Sequence, residues 1–561
     1  MDRNDTNFEL SLTPDAWASS SKYGRSSHLE RPAPENDQEV WDMLTQKPRR
    51  QKRVREEPPF SEEDAVAWRQ YDWDKVERHV RKKQQNIVRA YKSGNFEKVL
   101  RCQWYLTKST RARAYSIHIV TTNKGARSPG VDGVRWKHRD DLKYQAISLM
   151  DSETYATKPY LRIYIKKQGK TGKRPLSIPT MADRAMQTLY KLALEPIAEA
   201  SADINSFGYR RWRGTHDALA ACKRIMEAGA AWVISGDIKG CFDNINHKWL
   251  LKNIPMDRIM LRKFLKCGYI ERNGKYVWAG KAGISQGSPL SSTLCNMTLD
   301  GLRALVKSHN ANMDVLRFAD DLIITSHDLA AMHNAIPLLN NFLQERGLNF
   351  SKAKTILTSM DIGFDFLGFN FRNVDGNVVI EPSVRNVERI LESIEKAIAK
   401  YSKSGTDILI SNINSRLRGF ISYNMYCTKK DAFLYVDMKV SLLLAKYGIC
   451  PSVHAPLLVV SDVENIKQVW VHPEANPFDS AWKLYFEEWE YARNFYKPKG
   501  YKRLAYYFNL QEGFCPVCES PIEGSFAIHK KVIGNVHTLE IMHQKCHAQI
   551  HGLWATKATS P

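Results

Sequence analysis

Two short apolar runs in this chain each stop at a carboxylate, and the need to bury both limits the fold more than any other feature. In AWVISGDIKGCF (residues 231–242), Trp232, Val233 and Ile234 lead to Asp237, and the chain then bends at Gly240. An Asp just past the end of a buried strand is held rigidly at the mouth of a sheet, where metal sites are commonly built. In VLRFADDLIIT (residues 315–325), two apolar half-strands are joined at Asp320 and Asp321. Adjacent carboxylates repel each other and pack poorly, so they need a chemical reason to be there. A type I′ hairpin turn is the structural alternative, but it prefers Gly at its second position and Leu322 follows instead. Brought together, Asp237, Asp320 and Asp321 make a cluster able to hold two Mg²⁺ ions, hard cations that take oxygen ligands. Two such ions about 3.5–4 Å apart clamp the attacking and leaving oxygens of an in-line phosphoryl displacement. No GxxxxGK[ST] loop is present, which weighs against an NTPase.

Composition supplies the partner. The chain has 561 residues, 82 Lys+Arg against 60 Asp+Glu, a net charge of +22, and is 43% apolar. That length implies several domains, and that charge attracts polyanions, above all nucleic acid. No uninterrupted apolar run of about 18 residues exists, so no membrane partner is expected. Asp2, Asp5, Glu9 and Asp15 and the lack of an apolar segment argue against a secretory signal. Seven of the ten cysteines are scattered singly, which fits a reducing, cytoplasmic setting, nucleoid-associated if the host is bacterial.

Residues 1–70 are polar and aperiodic and read as a disordered extension. Near-helical spacing of Val76, Val80, Ile87 and Val88, then of Val99, Leu100 and Leu106, predicts two helices with one basic face. LRIYIKKQGKTGKRPLSIP (residues 161–179) predicts a hairpin whose tip and flanks carry Lys166, Lys167, Lys170, Lys173 and Arg174 with no acid among them.

The ordered series GDIKGCF, GISQGSPLSSTLCNMTLDGL, RFADDLIIT, GLNFSKAKT and FDFLGF resembles the palm motifs of reverse transcriptases, most closely those of group II intron-encoded proteins. Upstream, SPGVDG, KRPLSIPTMADRAMQ and LEPIAEASADINSFGYRRWRGTHDA extend the resemblance, which spans about residues 71–555. It implies an α+β right-hand polymerase with a ferredoxin-like palm, a helical thumb and a small zinc-binding tail. The implied divisions are an N-terminal helical region (71–136), fingers and palm (137–375), a shortened thumb and maturase-like region (376–455), a linker or DNA-binding-like region (456–510) and an HNH-like zinc module (511–555).

The implied function is RNA-directed DNA polymerisation, with an RNA template, a DNA primer and dNTPs as partners, and group II intron RNA and target DNA as further ones. Asp237 and Asp320 would ligate Mg²⁺ with Asp321 beside them. Phe242 would exclude a 2′-hydroxyl, and Gln286 with Gly287 would approach the nascent base pair. Lys173, Arg174 and Arg184 would bind the triphosphate, and Lys354 the departing pyrophosphate. This chain has Ile-Ser ahead of Gln286 where the family commonly has Thr-Pro, and Phe318 in place of Tyr. The Trp/Arg/His-rich stretch associated with intron splicing is missing or shortened, leaving KVSLLLAKYGICPSVHAP (residues 439–456). That loss, with the long N-terminal extension and a tail that departs from a working nuclease, favours a free-standing polymerase in repair or defence over a mobile intron's own protein. A splicing factor that keeps only the fold is the non-enzymatic alternative.

In the tail, CPVC followed by HQKC has zinc-ligand spacing, so Cys515, Cys518, His543 and Cys546 form a candidate tetrahedral Zn²⁺ site. The order resembles an HNH endonuclease, but Lys530 stands at the second of its paired histidines and Thr538 at its Asn. A protonated Lys cannot act as the general base near neutral pH, so the expectation is a zinc-stabilised fold without nuclease activity.

Overall fold

The computed structural model describes residues 60–166, 172–402, 404–451, 456–461, 470–487, 489, 507–508, 510–522, 526–533 and 536–550. The expected hairpin tip (167–171) and residues 1–59 of the expected disordered extension lie outside the described residues, as does much of the 456–510 region. The chain divides into a first unit running to Phe366, with Asp375–Val378 and Asn476–Ser480, and a second made of the remaining residues from Leu367 on. None of the described helices is long and apolar enough to cross a membrane.

The expected extension ends earlier than residue 70. Residues Glu62–Arg69 form a helix whose N-cap Ser61 accepts from the Asp64 N–H, with Glu62, Glu63 and Asp64 in the first turn, where acids complement the helix dipole. Its buried Trp68 packs against Tyr71 and Trp73. Three aromatic rings within six residues give a polar stretch enough apolar surface to fold.

Helices Trp73–Lys92, Phe96–Thr107 and Thr110–Thr122 follow, matching the predicted pair and adding a third. They pack on the helix Met181–Ala200, which is buried along most of its length. Two buried glutamines, Gln84 and Gln103, donate to the carbonyls of Leu192 and Ala193 on that helix. The predicted hairpin forms from antiparallel strands Tyr160–Lys166 and Lys173–Ile178, the former also pairing in parallel with Tyr269–Glu271.

A second four-stranded sheet, in the order Asp314–Phe318, Asp321–Ser326, Trp232–Asp237, Ile356–Ser359, is antiparallel at every pairing. Ile234, Val315, Leu322 and Ile324 of this sheet join the same hydrophobic core as Leu294, Leu299, Leu339 and Leu343 from the helices Ser291–Leu299 and Leu329–Glu345. Short apolar strands fastened by that core hold their ends still, and the carboxylates stand at those ends.

In the second unit, helices Val384–Tyr401, Thr406–Asn424 and Asp431–Lys446 bury Ile394, Ile413, Leu417, Val436 and Val440. Asn414 and Asp437 fasten residues 456–461 by bonding the backbone of Pro456, Leu458, Val460 and Ser461. In the tail, Phe526–Ile533 and Val536–His543 pair antiparallel and are followed by the helix Gln544–Ile550.

Candidate active site

Antiparallel pairing places Asp237 directly opposite Asp321, each at the end of its strand. Phe318 pairs with Asp321, so Ala319 and Asp320 are the two residues of the hairpin turn. The turn therefore lies one residue earlier than the Asp320–Asp321 junction suggested by the sequence, and Asp321 already belongs to a strand. Ala319 has φ +58°, a conformation that costs a non-glycine residue roughly 1–2 kcal/mol. The strain is held by neighbours. Arg317, fully buried, donates to Asp300, to Asn296 Oδ1 at 3.4 Å and more weakly to the Ala319 carbonyl at 3.5 Å. Asn296 Nδ2 in turn donates to the Gly208 carbonyl at 2.8 Å. Asn205 and Phe207 also bond the backbone of Arg317, the first accepting from its N–H and the second donating to its carbonyl.

Burial, followed by the nearby Asp237 carboxylate, pushes the Asp320 carboxyl above the ordinary range, against the pull of Arg174 and Lys354. Lys354 Nζ lies 2.7 Å from Asp237 Oδ2. Its loop is fixed to the end of that strand: Ser351 N–H donates to the Asp237 carbonyl at 2.7 Å and Lys239 N–H to the Asn349 carbonyl at 2.9 Å. A cation already held against Asp237 marks a site that attracts positive charge. The three carboxylates supply the hard oxygen donors that suit Mg²⁺.

Gly240, at φ +53°, turns the chain into the short helix Cys241–Asn244, which sets Phe242 half-buried against the core. Gly287, at φ +102°, admits no side chain: a Cβ would stand 2.7 Å from Leu176 Cδ1 and 2.8 Å from the Ser177 carbonyl oxygen. The Gln286 carbonyl accepts from Ser177 N–H at 2.8 Å, so the Gln286–Gly287 turn is pressed against the Lys173–Ile178 strand.

The expected triphosphate cations do not converge. Lys173 and Arg174 are consecutive on a strand, paired with Lys166 and Ile165, and consecutive side chains leave a strand on opposite faces. Arg174 is the one whose charge reaches Asp320 and Tyr209. Arg184 is buried, with its guanidinium donating to the carbonyls of Pro179, Gly125 and Ser128. It braces a loop, with most of its N–H groups spent on those carbonyls.

Sequence reading missed Tyr209, whose ring stands 6.2 Å from Phe242 at 83°, and the bracing residues Gly208, Asn296 and Arg317. Only the Gly-Tyr step within SFGYRRWRG hinted at an unusual backbone.

In the tail, one ligand atom from each of Cys515, Cys518, His543 and Cys546 lies within 4.8 Å of the others. Cys518 Sγ is 3.3 Å from His543 Nδ1. Burial pushes the Cys515 thiol up, but the backbone N–H groups of Cys518, Val517 and His543 outweigh it and bring the thiol down to about 6. A thiolate among soft donors suits Zn²⁺. The side chains of Lys530 and Thr538 lie outside the described residues.

The family model for reverse transcriptase (RNA-dependent DNA polymerase) matches residues 165–371, and that for the N-terminal domain of reverse transcriptase matches residues 68–150. The group II intron-encoded protein LtrA of Lactococcus lactis subsp. cremoris is 35% identical over 245 residues, covering 42% of this chain and 39% of LtrA. YkfC of Escherichia coli K12 is 33% identical over 202 residues, 33% of this chain and 52% of YkfC. The chain thus spans between two fifths and about half of these relatives' lengths. A solved telomerase from Candida albicans, in complex with a fragment of telomeric RNA, shares 13% identity over 53% of this chain and 62% of its own, with a TM-score of 0.32. With both family models falling on the helices and sheets just described, residues 68–150 and 165–371 are the N-terminal and polymerase domains of a reverse transcriptase, and the chain is similar to group II intron-encoded proteins such as LtrA.

Proposed function

We propose that the chain extends a DNA primer on an RNA template by nucleotidyl transfer at the carboxylate edge. The observation that carries this reading is the pairing of Asp237 with Asp321 and the presentation of Asp320 by the adjoining turn. A protein that only bound RNA would gain nothing from three carboxylates gathered toward a polyanion. Asp237 and Asp320 would hold Mg²⁺, which when bound supplies Lewis-acid polarisation of the phosphoryl oxygens. The rest is the chain's own work. Arg174 and Lys354 offset the charge of the triphosphate and of the pyrophosphate that leaves as the primer 3′-hydroxyl attacks. Phe242 packs under the sugar, and the Gln286–Gly287 backbone lies along the new base pair. Arg184 braces the loop at Gly125 and Ser128 from its buried position. RNA would be held largely by electrostatic contacts and hence in a salt-sensitive manner.

The test is primer extension on poly(rA)/oligo(dT) with Mg²⁺, wild type against Asp320→Ala with Asp321→Ala. Extension by wild type and none by the variant supports the reading. A wild type that binds template yet adds no nucleotide overturns it and leaves the splicing-factor alternative.

For the tail we propose a structural Zn²⁺ held by Cys515, Cys518, His543 and Cys546, in an HNH-like module without nuclease activity. The strand–strand–helix order and the compact donor set support this. Metal analysis after mild purification that finds no zinc would refute the first part, and metal-dependent nicking of DNA the second.

A further inference from the structure

We propose that Tyr209 is a specificity-determining residue, its ring and that of Phe242 forming two walls of a corner that receives the sugar of the incoming nucleotide. This rests on the polymerase reading above.

Tyr209 is held at φ +61°, a conformation suited to glycine. Arg210 donates to buried Glu199 and to the carbonyls of Asp203 and Ser206. Buried Arg213 faces the same Glu199. On the other side, Gly208 lies against the catalytic turn so closely that a Cβ would stand 2.8 Å from the Phe318 carbonyl carbon. The backbone is thus clamped between a buried ion cluster and the turn that carries Asp320.

The ring that this costly arrangement presents is not used for packing. Tyr209 is 54% exposed, so burial does not explain an aromatic residue where Gly or Asn would fit the backbone better. What the ring does touch is the site. It stands edge-on to Phe242, and its hydroxyl lies within electrostatic reach of Asp320 and Arg174. Strained backbone that presents an exposed side chain beside catalytic groups is a signature of function.

Two rings near a right angle, beside the metal-binding carboxylates, define a corner with apolar walls. A deoxyribose presents C–H groups to such walls. A 2′-hydroxyl there would lose water without gaining a partner.

The experiment compares wild type, Tyr209→Phe, Tyr209→Ala and Tyr209→Gly in the full chain, measuring kcat and KM for dTTP and UTP on poly(rA)/oligo(dT), with thermal unfolding alongside. Tyr209→Phe should keep the wild-type preference for dTTP. Tyr209→Ala and Tyr209→Gly should lose about tenfold or more of it. Tyr209→Gly should do so without a lower unfolding midpoint, because glycine relieves the backbone. A dTTP-to-UTP preference unchanged in both small variants overturns the proposal, as does a change confined to the KM for primer. Loss of activity in step with loss of the folded state in Tyr209→Ala, with a normal preference in Tyr209→Gly, would make the residue structural and also overturn it. A wild type that extends no primer removes the polymerase reading and this corner with it.

Discussion

Adding one methyl group at position 208 should disable the catalytic turn while leaving every carboxylate in place. In Gly208→Ala the new Cβ would overlap the Ala319 backbone nitrogen and stand 2.8 Å and 3.0 Å from Phe318 C and Ala319 Cα. Ordinary carbon contacts are about 3.5–4.0 Å, so the turn must retreat by roughly 0.5–1 Å. The atoms in the way are backbone, with no rotamer to change, and Arg317 and Asn296 hold the turn from behind. Overpacking of this kind costs about 1–3 kcal/mol of stability. Asp320 is bonded directly to the displaced residue, and a misplacement near 1 Å lowers a rate about 10²-fold, or roughly 2.7 kcal/mol in the barrier. Gly419→Ala is the control, since Gly419 lies inside the helix Thr406–Asn424 with open space around it. There the same substitution should stabilise by about 0.5–1 kcal/mol. Urea unfolding and single-turnover primer extension, at a temperature where both variants are folded, make the comparison. If Gly208→Ala retains a rate within about threefold of wild type, the close packing assigned to this turn is wrong.

Arg317→Met should destabilise by about 3–5 kcal/mol because Asp300 is left buried without its cation, and adding Asp300→Leu should recover most of the loss in denaturant unfolding. Burial pushes the Asp300 carboxyl up to about 7 even against Arg317. A carboxyl with a folded pKa above its unfolded value loses stability as pH rises between the two, so the Arg317→Met deficit should be smaller at pH 6 than at pH 8. Lys354→Met should shift the melting temperature by no more than about 3 °C, since its ion pair is half-exposed. It should also lower the Mg²⁺ concentration needed for half-maximal extension, because no ammonium then competes at Asp237; an unchanged or higher requirement contradicts that role. A zinc chelator should increase amide exchange in the hairpin Phe526–His543 and leave primer extension unchanged in rate.

Asp237, Asp320 and Asp321 were legible because apolar runs ending in acids are local patterns, and a sheet is the only economical way to bury those runs. Strand alternation was equally local, and read strictly it already separates Lys173 from Arg174. Arg184 and Arg317 could not be placed the same way. An arginine that braces carbonyls and one that meets phosphate look alike until the fold shows which groups surround them. Gly208 and Tyr209 were hidden for a related reason: the role of the first comes from a close approach to Ala319, more than a hundred residues away in the chain, and that of the second from the ring of Phe242. The helix Glu62–Arg69 was missed because its stability comes from Trp68, Tyr71 and Trp73 packing together, not from its polar composition.

The claim that the paired carboxylates perform nucleotidyl transfer meets its most direct test in addition of a single nucleotide to a DNA primer annealed to RNA, under single-turnover conditions with Mg²⁺. Asp237→Asn and Asp320→Asn, which keep the shape and remove the charge, should each lower the rate by about three orders of magnitude or more while template-primer affinity stays within about threefold of wild type. Near-normal rates in either variant, or a loss that follows affinity alone, would contradict the assignment of this edge as the catalytic centre.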